Sequence, residues 1–108
     1  RYYYSNPENS QMVKELRKQD WQPQLVWLEE TLKQSANYTW TIVVGHHPVI
    51  SSKQGRALDG PFNGGFAELQ THVRPLLEKY GVHAYFCGHL YNLQHLNEDG
   101  VHYFISGG

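Results

Sequence analysis

Apolar positions along this chain follow two periods, helical and extended, and their alternation sets the fold class. From Gln22 onward, Leu25, Leu28 and Leu32 recur at helical spacing, with Trp21 leading in and Pro23 suited to a first turn. Glu29 and Lys33 stand four apart on the polar side, so the spacing predicts a helix over about residues 22–35. Trp40-Thr41-Ile42-Val43-Val44 is a short β-branched run that stops at Gly45 and reads as a buried strand. Phe66, Leu69, Val73, Leu76, Leu77 and Tyr80 then return to helical spacing, closed by Gly81 as a C-terminal cap. Pro75 lacks a backbone donor and predicts two pieces or a kink in that helix. Val82–Cys87 reads as a second strand running into Gly88. Leu93–Leu96 and Val101–Ser106 flank the turn signal Asn97-Glu98-Asp99-Gly100 and predict a hairpin.

The remainder is polar. A short amphipathic helix is expected over roughly Ser10–Lys18, and the Gly-rich stretch Ser51–Gly65 is a loop longer than most connections. Helix, strand, helix, strand and hairpin in that order make an α/β layered fold.

Composition narrows the functional classes. The 108 residues leave room for one domain at most, and 40% hydrophobic with 14% aromatic residues suits a packed globule. A formal net charge of −1 without a Lys/Arg run argues against a nucleic-acid partner or an anionic-membrane patch. No stretch approaches the ~20 apolar residues of a membrane helix. Cys87 stands alone, so the segment forms no disulfide within itself. Asn37-Tyr38-Thr39 matches the N-glycosylation sequon. The chain opens on Arg1-Tyr2-Tyr3-Tyr4 and stops at Gly107-Gly108 directly after an apolar run, and we expect further chain on both sides.

Histidine is the one chemical side chain used generously, seven times. Two of the seven share a setting: Val43-Val44-Gly45-His46 and Phe86-Cys87-Gly88-His89 each run from a strand through Gly into His. In open α/β sheets, sites gather beyond the carboxyl ends of strands. Gly lets the backbone turn sharply there. Two imidazoles presented so could converge on one cation, since imidazole is a common nitrogen ligand. Loop histidines bonded to backbone are the plainer alternative for each.

These segments resemble motifs of the calcineurin-like metallophosphoesterases, and of purple acid phosphatases of the tartrate-resistant type in particular. Val43-Val44-Gly45-His46-His47-Pro48 is similar to the family's Val-x-Gly-His-x-Pro motif. Cys87-Gly88-His89-Leu90-Tyr91-Asn92-Leu93-Gln94 is similar to Cys-Gly-His-x-His-Asn-Leu-Gln, and Arg74–Val82 and Gln24–Leu28 extend the likeness.

The resemblance implies the C-terminal half of an α/β/β/α sandwich, a mixed sheet with flanking helices, forming part of one domain whose N-terminal half is absent. It also implies a binuclear metal centre, iron with iron, zinc or manganese, hydrolysing phosphate monoesters in a secreted, lysosomal or vacuolar glycoprotein carrying its sugar at Asn37. His46 and His89 map to ligands of the divalent metal. The other family ligands belong to the N-terminal half, which is thus the expected partner.

Two departures stand out. The second His of Gly-His-x-His, a ligand of the ferric ion, is Tyr91 here, and Leu90 fills the position before it. A phenolate can bind ferric iron, but the phenol is longer than imidazole and must lose a proton from a pKa near 10. The alternative is an aromatic filling the vacated pocket. The loop after the first motif also lacks the family's substrate-contacting His, leaving Lys53 and Arg56 as its cations.

His47 and Asn92 are candidates for supporting the ligands or touching substrate. His95 reads as a strand residue, and His72, His83 and His102 as residues without a role. The expected function is therefore an acid-phosphatase-like metallohydrolase segment, inactive alone. The alternative is a catalytically dead scaffold serving as a binding or anchoring module.

Overall fold

The computed structural model describes residues 18–52 and 65–107. Most of the helix expected over Ser10–Lys18, together with Lys53 and Arg56, lies outside the described residues.

Helix α1 spans Gln22–Gln34. The Asp20 carboxylate accepts the Gln22 N–H at 3.0 Å, and Pro23 occupies the first turn, where no backbone donor is missed. A 3-10 turn, Ser35–Asn37, leads towards strand β1, Ile42–Val44. The second helical run is split as Pro75 requires: α2 is Ala67–His72 and α3 is Arg74–Lys79. Gly81 caps α3 at φ +63°, with its N–H on the Glu78 carbonyl and the Val82 N–H on that of Leu77. That pair of bonds, with Leu77 and Val82 both buried, is a Schellman ending. Strands β2 (Ala84–Cys87), β3 (Leu93–Glu98) and β4 (Val101–Ser106) complete the order.

The four strands form one mixed sheet in the order β1-β2-β4-β3. The pairs β1/β2 and β2/β4 are parallel, and β3/β4 is an antiparallel hairpin. The mixed sheet with flanking helices is the α/β class that the sequence predicts. The hairpin turn is tighter than expected. β3 continues to Glu98, which pairs with Val101, and only Asp99 (φ +51°) and Gly100 (φ +81°) make the turn. Two successive positive φ values match the right-handed twist of a two-residue hairpin.

One sheet face packs on the helices. Tyr85, Cys87, Val101, Tyr103 and Ile105 join Leu32, Leu77 and Val82 in the core. The other face carries a row in register across all four strands, Val44–Phe86–Phe104–His95, whose aromatic members stack at 4.7 Å (Phe86–Phe104) and 4.4 Å (Phe104–His95). This corrects the expectation of a buried first strand. Ile42 is 56% and Val44 76% exposed, because β1 is an outer strand of this sheet and both side chains lie on its uncovered face.

Glu29 also differs from expectation. It accepts a 2.8 Å bond from the Tyr80 hydroxyl and pairs with Lys79 of α3, while Lys33 pairs with Glu30. Position 29 faces the neighbouring helix, and tertiary geometry overrides the four-residue pairing.

Candidate metal centre

Strand register brings the two Gly-His turns together. Because Val44 pairs with Phe86 in parallel, two residues further on His46 stands beside Gly88. Backbone bonds continue past the strand ends, from Gly45 N–H to the Phe86 carbonyl and from Gly88 N–H to the His46 carbonyl. His89 follows at φ +67°, a left-handed conformation uncommon for a residue with a Cβ. The result is His46 Nε2 and His89 Nδ1 at 3.4 Å.

His47 closes the group. Its ring centroid lies 4.7 Å from that of His46 and 4.8 Å from that of His89, and those of His46 and His89 are 5.3 Å apart. The three residues can each offer a ligand atom within 4.8 Å of the others, and the cluster holds no carboxylate among the described residues. Phe66 walls one side, its ring 4.4 Å from His47 and 5.4 Å from His89, and its N–H bonds the Pro48 carbonyl. Partial burial, and then the neighbouring His89 and His46, hold the His47 imidazole below its usual pKa, so its nitrogens favour the neutral, ligating form.

The backbone beneath is fixed by Tyr85. Its buried hydroxyl donates to the His47 carbonyl at 2.8 Å, and a Cβ on residue 45 would overlap that hydroxyl. Behind the second turn, Gly107 N–H bonds the Asn92 carbonyl, and Asn92 Oδ1 accepts from Gln94, whose Oε1 in turn accepts the Ser52 N–H. Gly107 also sits so close to the Leu90 carbonyl that a side chain there would collide with it.

The family model described as calcineurin-like phosphoesterase matches residues 2–92. The chain belongs to the calcineurin-like phosphoesterase family. Over 85 residues it is 44% identical to tartrate-resistant acid phosphatase type 5 of Homo sapiens, covering 78% of this chain and 23% of that protein. It is 37% identical over 82 residues to purple acid phosphatase 17 of Arabidopsis thaliana, covering 75% of this chain and 22% of the relative. The chain thus spans less than a quarter of the length of these curated relatives. Its fold matches the solved structure described as "GAP50 the anchor in the inner membrane complex of Plasmodium" at a TM-score of 0.64 and 24% identity, over 77% of this chain and 24% of that one. That likeness carries the metallophosphoesterase-like fold and nothing further.

Calcineurin-like phosphoesterases of the purple acid phosphatase type hydrolyse phosphate monoesters at a binuclear metal centre. Against that background the structure gathers His46, His47 and His89. Tyr91 is 89% exposed among the described residues. Its flanking residues are tied down by Leu90 and Asn92 backbone bonds, which leave the side chain outward. His95 lies in β3 and bonds His102 at 2.8 Å, and His83 Nδ1 accepts the Thr41 N–H at 3.1 Å. These histidines stitch strands, and His72 packs on Trp21 at 4.4 Å.

A groove of about 670 Å³ runs between α1 and β1 past Trp21, Leu28, Val43 and Leu69, and none of the three histidines lines it. His47, a sequence candidate for supporting the ligands or touching substrate, has its ring beside those of both His46 and His89. No described helix is long and apolar enough to cross a membrane.

Proposed function

We propose that these residues are the C-terminal part of an acid-phosphatase-like metallohydrolase acting on phosphate monoesters, in which His46 and His89 hold the divalent ion of a binuclear pair. The observation that carries the reading is the facing of two ring nitrogens at 3.4 Å from turns after adjacent parallel strands. Two nitrogens each about 2.0–2.1 Å from one tetrahedral ion lie about 3.3–3.4 Å apart, so the pair fits a shared cation.

When bound, a binuclear centre supplies charge stabilisation for a phosphoryl group and a nucleophile at neutral pH. The chain's own residues orient and support. His46 and His89 point their nitrogens at one locus, and the Tyr85–His47 and Gly88–His46 bonds hold the turns in place. Phe66 shields one side from water.

An N-terminal half supplying the carboxylate ligands is part of this proposal. It is supported by the uncovered apolar row Val44–Phe86–Phe104, which suits the second layer of a sandwich. Without that half these 108 residues are expected to show no turnover. Asn37 is exposed in the connection between α1 and β1, and we assign it as the glycan site of a protein in the secretory pathway, extracellular or lysosomal.

One observation favours a second reading, a phosphatase-like anchoring or binding scaffold. Tyr91 stands where the family has its ferric-site imidazole, and it faces solvent. The two readings separate on full-length protein by metal analysis and p-nitrophenyl phosphate hydrolysis. Bound metal with turnover abolished in His89→Ala supports the hydrolase; metal-free, inactive protein supports the scaffold.

A further inference from the structure

We infer that the uncovered face of the sheet is a proton-gated seam. The layer over it is held while at least one of His95 and His102 is neutral, and it loosens when both are charged. The inference rests on the reading that an N-terminal half covers this face. It goes beyond that reading, because neither histidine is a candidate ligand of the metal centre.

Three observations carry it. First, His95 Nε2 and His102 Nδ1 lie 2.8 Å apart across the β3/β4 hairpin, with their ring planes within 22° of each other. A ring-to-ring bond needs a proton on one nitrogen and a lone pair on the other, so it is lost when both rings are imidazolium. Second, His95 stacks on Phe104 at 4.4 Å and 6°, and Phe104 stacks on Phe86, so the pair is built onto the apolar row. Third, strand alternation places no Asp, Glu, Lys or Arg on this face among the described strands, and His95 and His102 are its only ionisable side chains. Beside His102 in register stand Ala84 of β2 and Asn97 of β3, both uncharged. The nearby charges are engaged elsewhere: Glu98 and Asp99 with Arg74 of α3, and the His83 ring with the Thr41 N–H.

The count of protons sets the direction. Two imidazolium rings in contact repel, and under a dry layer each charge also loses its water. This sheet face offers no carboxylate to offset them. The covered pair therefore accepts at most one added proton, whereas the opened pair accepts two. Opening binds the extra proton, so stability gained from the seam is lost as pH falls through the imidazole range and is restored as pH rises.

The test follows denaturant unfolding of the full-length protein between about pH 8 and pH 5, where imidazole ordinarily titrates. One extra proton bound on opening multiplies the unfolding constant by up to about ten for each pH unit of acidification. Wild type is expected to lose stability more steeply than His95→Phe or His102→Phe, by up to that factor, because either variant keeps a single imidazole. Comparing slopes between variant and wild type cancels the other histidines. His95→Gln and His102→Gln, which also remove the titrating ring, repeat the comparison should a Phe variant not fold. A slope common to wild type and the variants overturns the inference. Val44→Asp in the same protein separates the two readings. If it is costly while the slopes are unaltered, the proton gate alone falls; if it costs no more than a surface substitution, the covering layer falls with it.

Discussion

The Tyr85 hydroxyl lies under the turn that carries the candidate ligands, donating to the carbonyl of His47 while occupying the space a side chain on residue 45 would need. Tyr85 is 4% exposed, so its ring cannot swing away. Gly45→Ala should therefore cost about 1–3 kcal/mol by overpacking and weaken Co²⁺ binding together with stability. Tyr85→Phe alone should lose about 1 kcal/mol with its hydrogen bond, yet in combination with Gly45→Ala it should recover part of the loss. Denaturant unfolding of the four proteins measures this, and strict additivity would show that the two residues do not compete for one space.

His89 illustrates a ligand held against local preference. Left-handed backbone costs a residue with a Cβ about 1–2 kcal/mol, and glycine recovers that minus its greater chain entropy. His89→Gly is expected to unfold about 0.5–1 kcal/mol later than wild type while losing divalent-cation binding. A destabilised His89→Gly protein would mean that the ring supports the fold more than it serves a ligand.

Alkaline pH should unfold this protein in a defined window. Burial raises the hydroxyls of Tyr85 and Tyr103 to about 12 and the Cys87 thiol to about 11. Their ordinary values are 10.0 and 9.0, so the unfolded chain releases these protons first. Stability contributed by the neutral groups is complete below about pH 9 and is lost as pH rises towards 12. The Tyr103 hydroxyl is also buried without a hydrogen-bond partner among the described residues. Tyr103→Phe should accordingly raise stability by about 1 kcal/mol at neutral pH and make the alkaline decline shallower. An unchanged pH profile would remove Tyr103 from the account.

Val44 reports on the sheet face opposite the core. Within these residues it is 76% exposed, so a polar substitution there should cost almost nothing. In the full-length protein, a second sandwich layer over Val44 and Phe86 would make Val44→Asp cost about 2 kcal/mol. Thermal unfolding of the full-length variant decides the matter, and a shift within the noise of surface substitutions would leave that face without a cover.

Much of this molecule is written in local pattern. The helical spacing around Leu28 and Leu32, the break at Pro75, the cap at Gly81 and the existence of a hairpin after Leu96, though not its two-residue turn, follow from short-range sterics and hydrogen bonding, and the sequence alone determined them. So did the pairing of two Gly-His turns as candidate ligands, since a strand ending in Gly must deliver its next side chain to the sheet's edge. Three features needed the third dimension. Parallel register between β1 and β2 set His46 against His89, because sequence spacing carries no information about which strands become neighbours. The ring of His47 joined them only once Tyr85, 38 residues away, fixed the turn from below. Finally, the exposure of Ile42 and Val44 depended on which sheet face the helices cover, and a β-branched run reads the same whether its outward side is buried or bare.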